Sequence, residues 1–154
     1  MSAVVVYTDG ACRGNPGPGG WAAVIFDGAA ERELSGGEPH TTNQRMELRA
    51  AIEALTALPS PRDVALYTDS TYVMNCFVQR WWVRWERTGW RGAMGQAVAN
   101  RDLWERLIAE TRRHTVAWHW VKGHSGDPLN DRVDRLARAA SVSATPTAPG
   151  PGAG

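Results

Sequence analysis

Apolar residues fall along this chain in two rhythms, one of strands and one of helices. Val4 to Tyr7 run unbroken into Thr8 and Asp9, which predicts a buried strand over residues 3–9, ended by Gly10. Segments 19–27 (GGWAAVIFD) and 31–37 (ERELSGG) flank a short Gly-Ala-Ala turn and predict an antiparallel hairpin. Leu48, Ala51, Ile52, Leu55 and Leu58 then recur at helical spacing, so residues 43–58 predict an amphipathic helix that Pro59 and Pro61 stop. A strand is expected at 64–68, helices at 70–78 and 103–113, and an alternating strand at 115–121. Asp127 and Pro128 supply a cap and first position for a last helix, with Val133, Leu136, Ala137 and Ala140 inward. Residues 80–102 keep neither rhythm: tryptophans and arginines mix around a glycine-bearing, weakly periodic centre.

This order predicts one mixed sheet with helices on its faces. Strand 64–68 follows a helical crossover and is expected parallel to strand 3–9. Both strands end on Tyr-Thr-Asp, so Asp9 and Asp69 are expected side by side beyond the carboxyl ends, where such sheets bind ligands.

Composition narrows the class without naming a chemistry. The 154 residues fit one domain with a proper core, and 43% hydrophobic with 21% charged is ordinary for a soluble globular chain. Net charge is +1 and Lys122 is the only lysine, so a polyanion must be met by a local patch of arginines. Cys12 and Cys76 show no metal spacing and no disulfide framework. With no signal-peptide pattern and no stretch of about 18 apolar residues, the expectation is a cytoplasmic protein without membrane association. From Ser141 the sequence turns small, polar and Pro/Gly-rich, which predicts a folded domain over 1–140 and a disordered tail or linker over 141–154.

Neighbouring carboxylates repel, and a divalent cation reverses that cost. Glu47, one turn into the 43–58 helix, and Asp134, in the second turn of the last helix, can join Asp9 and Asp69. An all-oxygen donor set suits Mg2+ or Mn2+ rather than zinc, and magnesium shares phosphate oxygens, which points to phosphoester chemistry. Each acid also has an ordinary reading. Asp9-Gly10 makes a turn, Asp69-Ser70 a helix cap, Glu47 a first-turn acid, and Asp134 a partner for Arg138 at i+4. Periodicity allows the four to converge without requiring it.

With these residues in place the chain closely resembles bacterial ribonuclease HI, the type 1 ribonuclease H family. The blocks YTDGACRGNPGPGGWA, TTNQRMEL, YTDSTYV, VKGHSG and NDRVDRLARAA match in order, covering about residues 3–140. The resemblance implies an α/β, ribonuclease H-like fold: a five-stranded mixed sheet, its first three strands antiparallel and last two parallel, flanked by helices on both faces. It implies hydrolysis of the RNA strand of RNA–DNA hybrids by a monomer with two Mg2+ ions, Mn2+ substituting, and 5′-phosphate and 3′-hydroxyl products. The family's metal-binding acids fall on Asp9, Glu47, Asp69 and Asp134, and its mobile-loop histidine on His124, an auxiliary in proton handling or product release.

Selectivity for such a hybrid requires reading the 2′-hydroxyl across a wide minor groove. The resemblance assigns that contact to Asn15, Asn43 and Gln44, although composition alone reads these stretches equally well as a hairpin lead-in and a helix cap at Thr41 or Thr42. It assigns the DNA strand to a basic handle over 80–101, where Arg80, Arg84, Arg87, Arg91 and Arg101 face only Glu86 and interleave with Trp81, Trp82, Trp85 and Trp90. About half of those tryptophans are expected in a satellite core. Asn100 with Thr42 falls near a DNA phosphate in the family, and Tyr72 beside the DNA strand. The handle lacks the lysine run of many relatives, and Glu86 and Met94-Gly95-Gln96 dilute it, so hybrid affinity is expected to be modest and salt-sensitive. Three rivals fare worse. A DNA-cutting strand transferase needs a recognition domain for which 154 residues leave little room. A non-catalytic hybrid binder is expected to have lost an acid, and a nucleotide-binding loop needs a Gly-Lys-Ser/Thr that is missing.

Overall fold

The computed structural model describes residues 3–59, 61–123 and 126–145. Five strands form one sheet in the order β3-β2-β1-β4-β5: β1 (Val4–Cys12), β2 (Gly17–Asp27), β3 (Ala30–Thr41), β4 (Asp63–Thr68) and β5 (Thr115–Trp120). β1, β2 and β3 pair antiparallel, while β4 runs parallel to β1 and β5 parallel to β4. The helices are α1 (Asn43–Thr56), α2 (Thr71–Val78), α3 (Trp81–Thr88), α4 (Arg101–Arg113) and α5 (Pro128–Ala144).

Alternation along the strands sorts the core into two layers. Val4, Val6, Ala23, Ile25, Val64 and Leu66 face α1, α2 and α4, where Leu48, Ile52, Leu55, Trp104 and Leu107 complete the main core. Tyr7 and Val24 face the other way and meet Val133 of α5, with Val5, Tyr67 and Leu136 at the margin. The flanked mixed sheet of the expected fold class is therefore present.

Five local expectations need correction. β1 does not end at Gly10: its pairing with β2 runs on to Cys12 opposite Gly19, so Asp9 lies inside a strand. Only the pairing with β4 stops, at Thr8 and Thr68. β3 runs from Ala30 to Thr41, well beyond residue 37, and α1 ends at Thr56, before Leu58. Residues 81–88 form a helix in which Trp81, Trp82 and Trp85 turn inward against the main core, an aperiodic mixture only when read linearly. Finally, α5 continues to Ala144, past the boundary set at residue 140, because a composition shift does not stop a helix whose face is packed. Ser141 is buried there, and a Cβ on Gly20 of β2 would stand 2.3 Å from the Ala137 carbonyl and 2.4 Å from Ser141 N, so the glycine admits the helix backbone. The tail beyond residue 145 lies outside the described residues.

Candidate active site

The twice-written Tyr-Thr-Asp is one structural fact seen on two neighbouring strands. Tyr7 pairs with Tyr67 and Thr8 with Thr68 in parallel register, the rings stacking at 4.7 Å, so the next residue on each strand is an aspartate. The third acid arrives because β1 and α1 touch. A Cβ on Gly10 would lie 2.5 Å from the Glu47 amide nitrogen, a distance only glycine tolerates. Thr42 starts α1 by accepting from Arg45 N at 3.2 Å, which fixes the turn that carries Glu47. Ser70 caps α2 in the same way through Val73 N at 3.1 Å. The result is one oxygen each from Asp9, Glu47 and Asp69, all within 4.8 Å of one another.

Electrostatics in this cluster are unfavourable without a cation. Asp9 is 5% exposed. Burial first, then the charge of Asp69, push its carboxyl up to about 9, against the stabilising hydrogen bond from Gly10 N; Asp134 and Glu47 add to the rise. Burial also pushes Glu47 up to about 7, opposed by a hydrogen bond from the Ser70 hydroxyl and assisted by Asp69. Three converging carboxylates, two of them holding protons more tightly than usual, fit a site that a hard divalent cation completes; the all-oxygen donor set suits Mg2+ or Mn2+.

Asp134 is set apart from these three. It lines the same open cavity of about 540 Å3 as Asp9, Glu47 and Asp69, but its carboxylate accepts from Arg138 Nε at 3.1–3.2 Å, the ordinary i,i+4 pairing. The structure thus shows the Arg138 pairing of Asp134, and beside it only that the residue shares the cavity wall with the other three acids. His124 lies outside the described residues.

The residues assigned to substrate contact occupy the rim and the handle. Asn15 Oδ1 accepts from Asn43 N at 3.1 Å, joining the turn after β1 to the α1 N-terminus, and Asn43 lines the cavity. Gln44 is exposed in the same turn. In the handle, Trp85 lies 6.1 Å from Trp81, 5.6 Å from Trp90 and 5.3 Å from Trp104 between ring centroids, so all four handle tryptophans join the main core instead of about half of them forming a satellite core. Their partly exposed edges alone remain for a ligand. Tyr72 is likewise packed, its hydroxyl accepting from Asn100 and Trp104.

The arginines divide. Arg112, from α4, pairs with Glu86 at 2.7 Å and lies over Trp82, so Glu86 is neutralised from outside the handle rather than diluting it. Arg101 pairs with Glu105, and Arg91 donates to the Gly95 carbonyl. Arg80, Arg84 and Arg87 have no ion pair among the described residues; Arg84 and Arg87 are exposed on α3, and Arg80 is exposed at its N-cap. Cys76 is buried and its thiol pushed up to about 12 by that burial, which makes it packing; Cys12 donates weakly to the Gly17 and Thr41 carbonyls. Sequence reasoning missed Ser70 as a support for Glu47. Its only trace in the chain was a helix cap, which says nothing about what the free hydroxyl proton reaches.

The RNase H family model matches residues 1–142. A ribonuclease H of Alcanivorax borkumensis is 58% identical over 137 residues, covering 89% of this chain and 90% of the relative. One from Moorella thermoacetica is 57% identical over 140 residues, 91% and 92% of the two chains. Among solved structures, LC9-RNase H1, described as a type 1 RNase H with the type 2 active-site motif, superposes with a TM-score of 0.80 at 34% identity, over 94% of this chain and 75% of that one. LC11-RNase H1, solved in complex with RNA/DNA hybrid, shares the fold at a TM-score of 0.70 and 22% identity, over 92% and 98% of the two chains.

Proposed function

Because this chain belongs to the ribonuclease H family of nucleases, we propose that it cleaves the RNA strand of RNA–DNA hybrids through two Mg2+ ions, leaving 5′-phosphate and 3′-hydroxyl ends. The observation that carries this reading is the meeting of Asp9, Glu47 and Asp69 oxygens within 4.8 Å in an open cavity. Bound there, the metals supply Lewis acidity and an activated water for an in-line displacement, with Mn2+ an acceptable substitute.

The chain's own residues do the rest. Asp9 and Asp69 are the central ligands, with Glu47 and Asp134 on the flanks; Asp134 must leave Arg138 to take part. His124, which lies between Gly123 and Gly126 in the sequence, assists with protons or product release. Asn15, Asn43 and Gln44, on the cavity rim, read 2′-hydroxyls, which a DNA strand lacks. Arg84 and Arg87 take phosphates of the DNA strand, the exposed edges of Trp81, Trp85 and Trp90 take its sugars, and Thr42, Asn100 and Tyr72 hold it near the carboxylates. We read the working form as a cytoplasmic monomer needing no protein partner and no membrane. Among the described residues no helix is long and apolar enough to cross one, and both cysteines are free thiols.

Incubation with magnesium and end-labelled hybrid, duplex RNA and duplex DNA tests the reading. Only the RNA of the hybrid should be cut, to 5′-phosphate products. Equal cutting of duplex DNA, or digestion that persists under excess chelator, refutes it.

A further inference from the structure

The N-termini of three helices are stitched together by a network that joins Asn100 and Tyr72, assigned above to the DNA strand, to Arg45 and Asp102, which have no role in that reading. Arg45, in the first turn of α1, sends Nη1 to Asp102 Oδ1 at 3.0 Å and Nη2 to Asp102 Oδ2 at 2.8 Å, a two-pronged pairing with the first turn of α4. The same Nη1 donates to Asn100 Oδ1 at 3.4 Å. Asn100 Nδ2 donates to the Tyr72 hydroxyl at 3.1 Å, and Trp104 Nε1 donates to that oxygen at 3.0 Å. Tyr72 sits in the first turn of α2, three residues after Asp69. A continuous path of polar contacts thus runs from the helix bearing Glu47, through the start of α4, to the helix that follows Asp69.

Two features mark this path as geometric rather than generally stabilising. An isolated, largely exposed ion pair contributes little to folding, and Asp102 is 64% exposed in its side chain. A forked guanidinium–carboxylate pair, however, fixes orientation in a way a point charge does not. Asn100 is the second feature. It begins α4 with φ 62, in the left-handed region, and makes no side-chain bond to its own helix. Its amide is spent on Arg45 and Tyr72, which set the direction of the chain entering α4.

We propose that Arg45, acting through Asp102 and Asn100, is the positioning residue that holds the start of α4 against the start of α1, so that the DNA-strand contacts stand at a fixed distance from the carboxylates. The proposal deepens the hybrid-cleaving reading and rests on it. It makes a prediction opposite in sign to simple electrostatics. Removing the negative charge of Asp102 should tighten a polyanion if charge were all that mattered; as a positioning defect it should weaken binding.

The test measures hybrid affinity by fluorescence anisotropy in excess chelator, where no cleavage occurs, together with KM and kcat in magnesium. Arg45→Ala and Asp102→Ala should each weaken the hybrid and raise KM by about tenfold, with kcat within about twofold, since a misplaced binding element costs binding before chemistry. The double variant should be no worse than either single one, and Arg45→Lys should recover part of the loss. Unchanged affinity in Arg45→Ala, tighter binding in Asp102→Ala, or additive losses would each overturn the proposal. Should Arg45→Ala fail to fold, Asp102→Ala carries the same sign test. Wild-type protein that binds hybrid without cutting it would end the hydrolytic reading, while the anisotropy series would still decide the role of Arg45.

Discussion

Replacing Asp9 by asparagine should stabilise the metal-free protein, although it removes the most central acid of the site. Both Asp9 and Glu47 hold their protons more tightly in the folded chain than in the unfolded one, chiefly because they are buried. For a carboxyl raised in this way the sign is unambiguous. Below the unfolded value of 3.8 both states are protonated and the site costs nothing; as pH rises toward the folded value of about 9, the native state loses stability relative to the unfolded one. At about 1.36 kcal/mol per pH unit, the interval from 3.8 to pH 7 sets a ceiling of about 4 kcal/mol. The replacing amide must still be desolvated, so we expect a gain of about 1–3 kcal/mol at neutral pH, or roughly 3–10 °C in Tm for a domain of this size. Thermal unfolding followed by circular dichroism in excess chelator reads this directly. The gain should nearly vanish toward pH 4, grow through neutrality and level off above about pH 9. Saturating magnesium should then narrow the gap, because it stabilises the wild type far more than the variant. A variant that is equally or less stable than wild type near pH 8 in chelator would mean that burial and the neighbouring charges do not raise the Asp9 carboxyl, and the fit to a cation would lose its physical basis.

Asp69→Asn should abolish cleavage yet leave hybrid affinity in chelator within about twofold, since that carboxylate serves the metals and not recognition; near-normal turnover would remove Asp69 from the chemistry. Ser70→Ala should move the acid limb of the pH–activity profile to higher pH, because losing the hydroxyl donor leaves Glu47 harder to deprotonate, and an unshifted limb would break that link. Arg84→Ala combined with Arg87→Ala should flatten the slope of log affinity against log salt by about 1.4–1.8, the share of two phosphate contacts, and an unchanged slope would place the DNA strand elsewhere.

Much of this architecture was legible in the chain because its signals are local. The unbroken Val4–Tyr7 run, the spacing of Leu48, Ile52 and Leu55, and the Asp127–Pro128 start of α5 each describe residues that meet their own neighbours. The pairing of Asp9 with Asp69 was also legible, since two like-ended parallel strands in register must bring like residues together. Composition misjudged residues 141–144, because what holds them helical is the surface of β2 and β3 rather than their own propensity. The handle misled in a similar way. Its tryptophans and arginines alternate without rhythm in the sequence, and only the docking of α3 on Trp104 turns Trp85 inward and leaves Arg84 and Arg87 outside.

Sequence alone thus determined the five strands, four of the five helices and the convergence of Asp9 with Asp69, for these depend on side-chain chemistry and on periods of two and 3.6 residues. Tertiary structure alone decided that Asp134 is held by Arg138 rather than joined to the other three, that Arg112 cancels Glu86, and that Ser70 supports Glu47. It also decided that Arg45 reaches Asp102 across 57 positions of chain. Such partnerships depend on distances of a few ångströms between side chains brought together by folding, and most of them leave no periodic trace in the order of the residues.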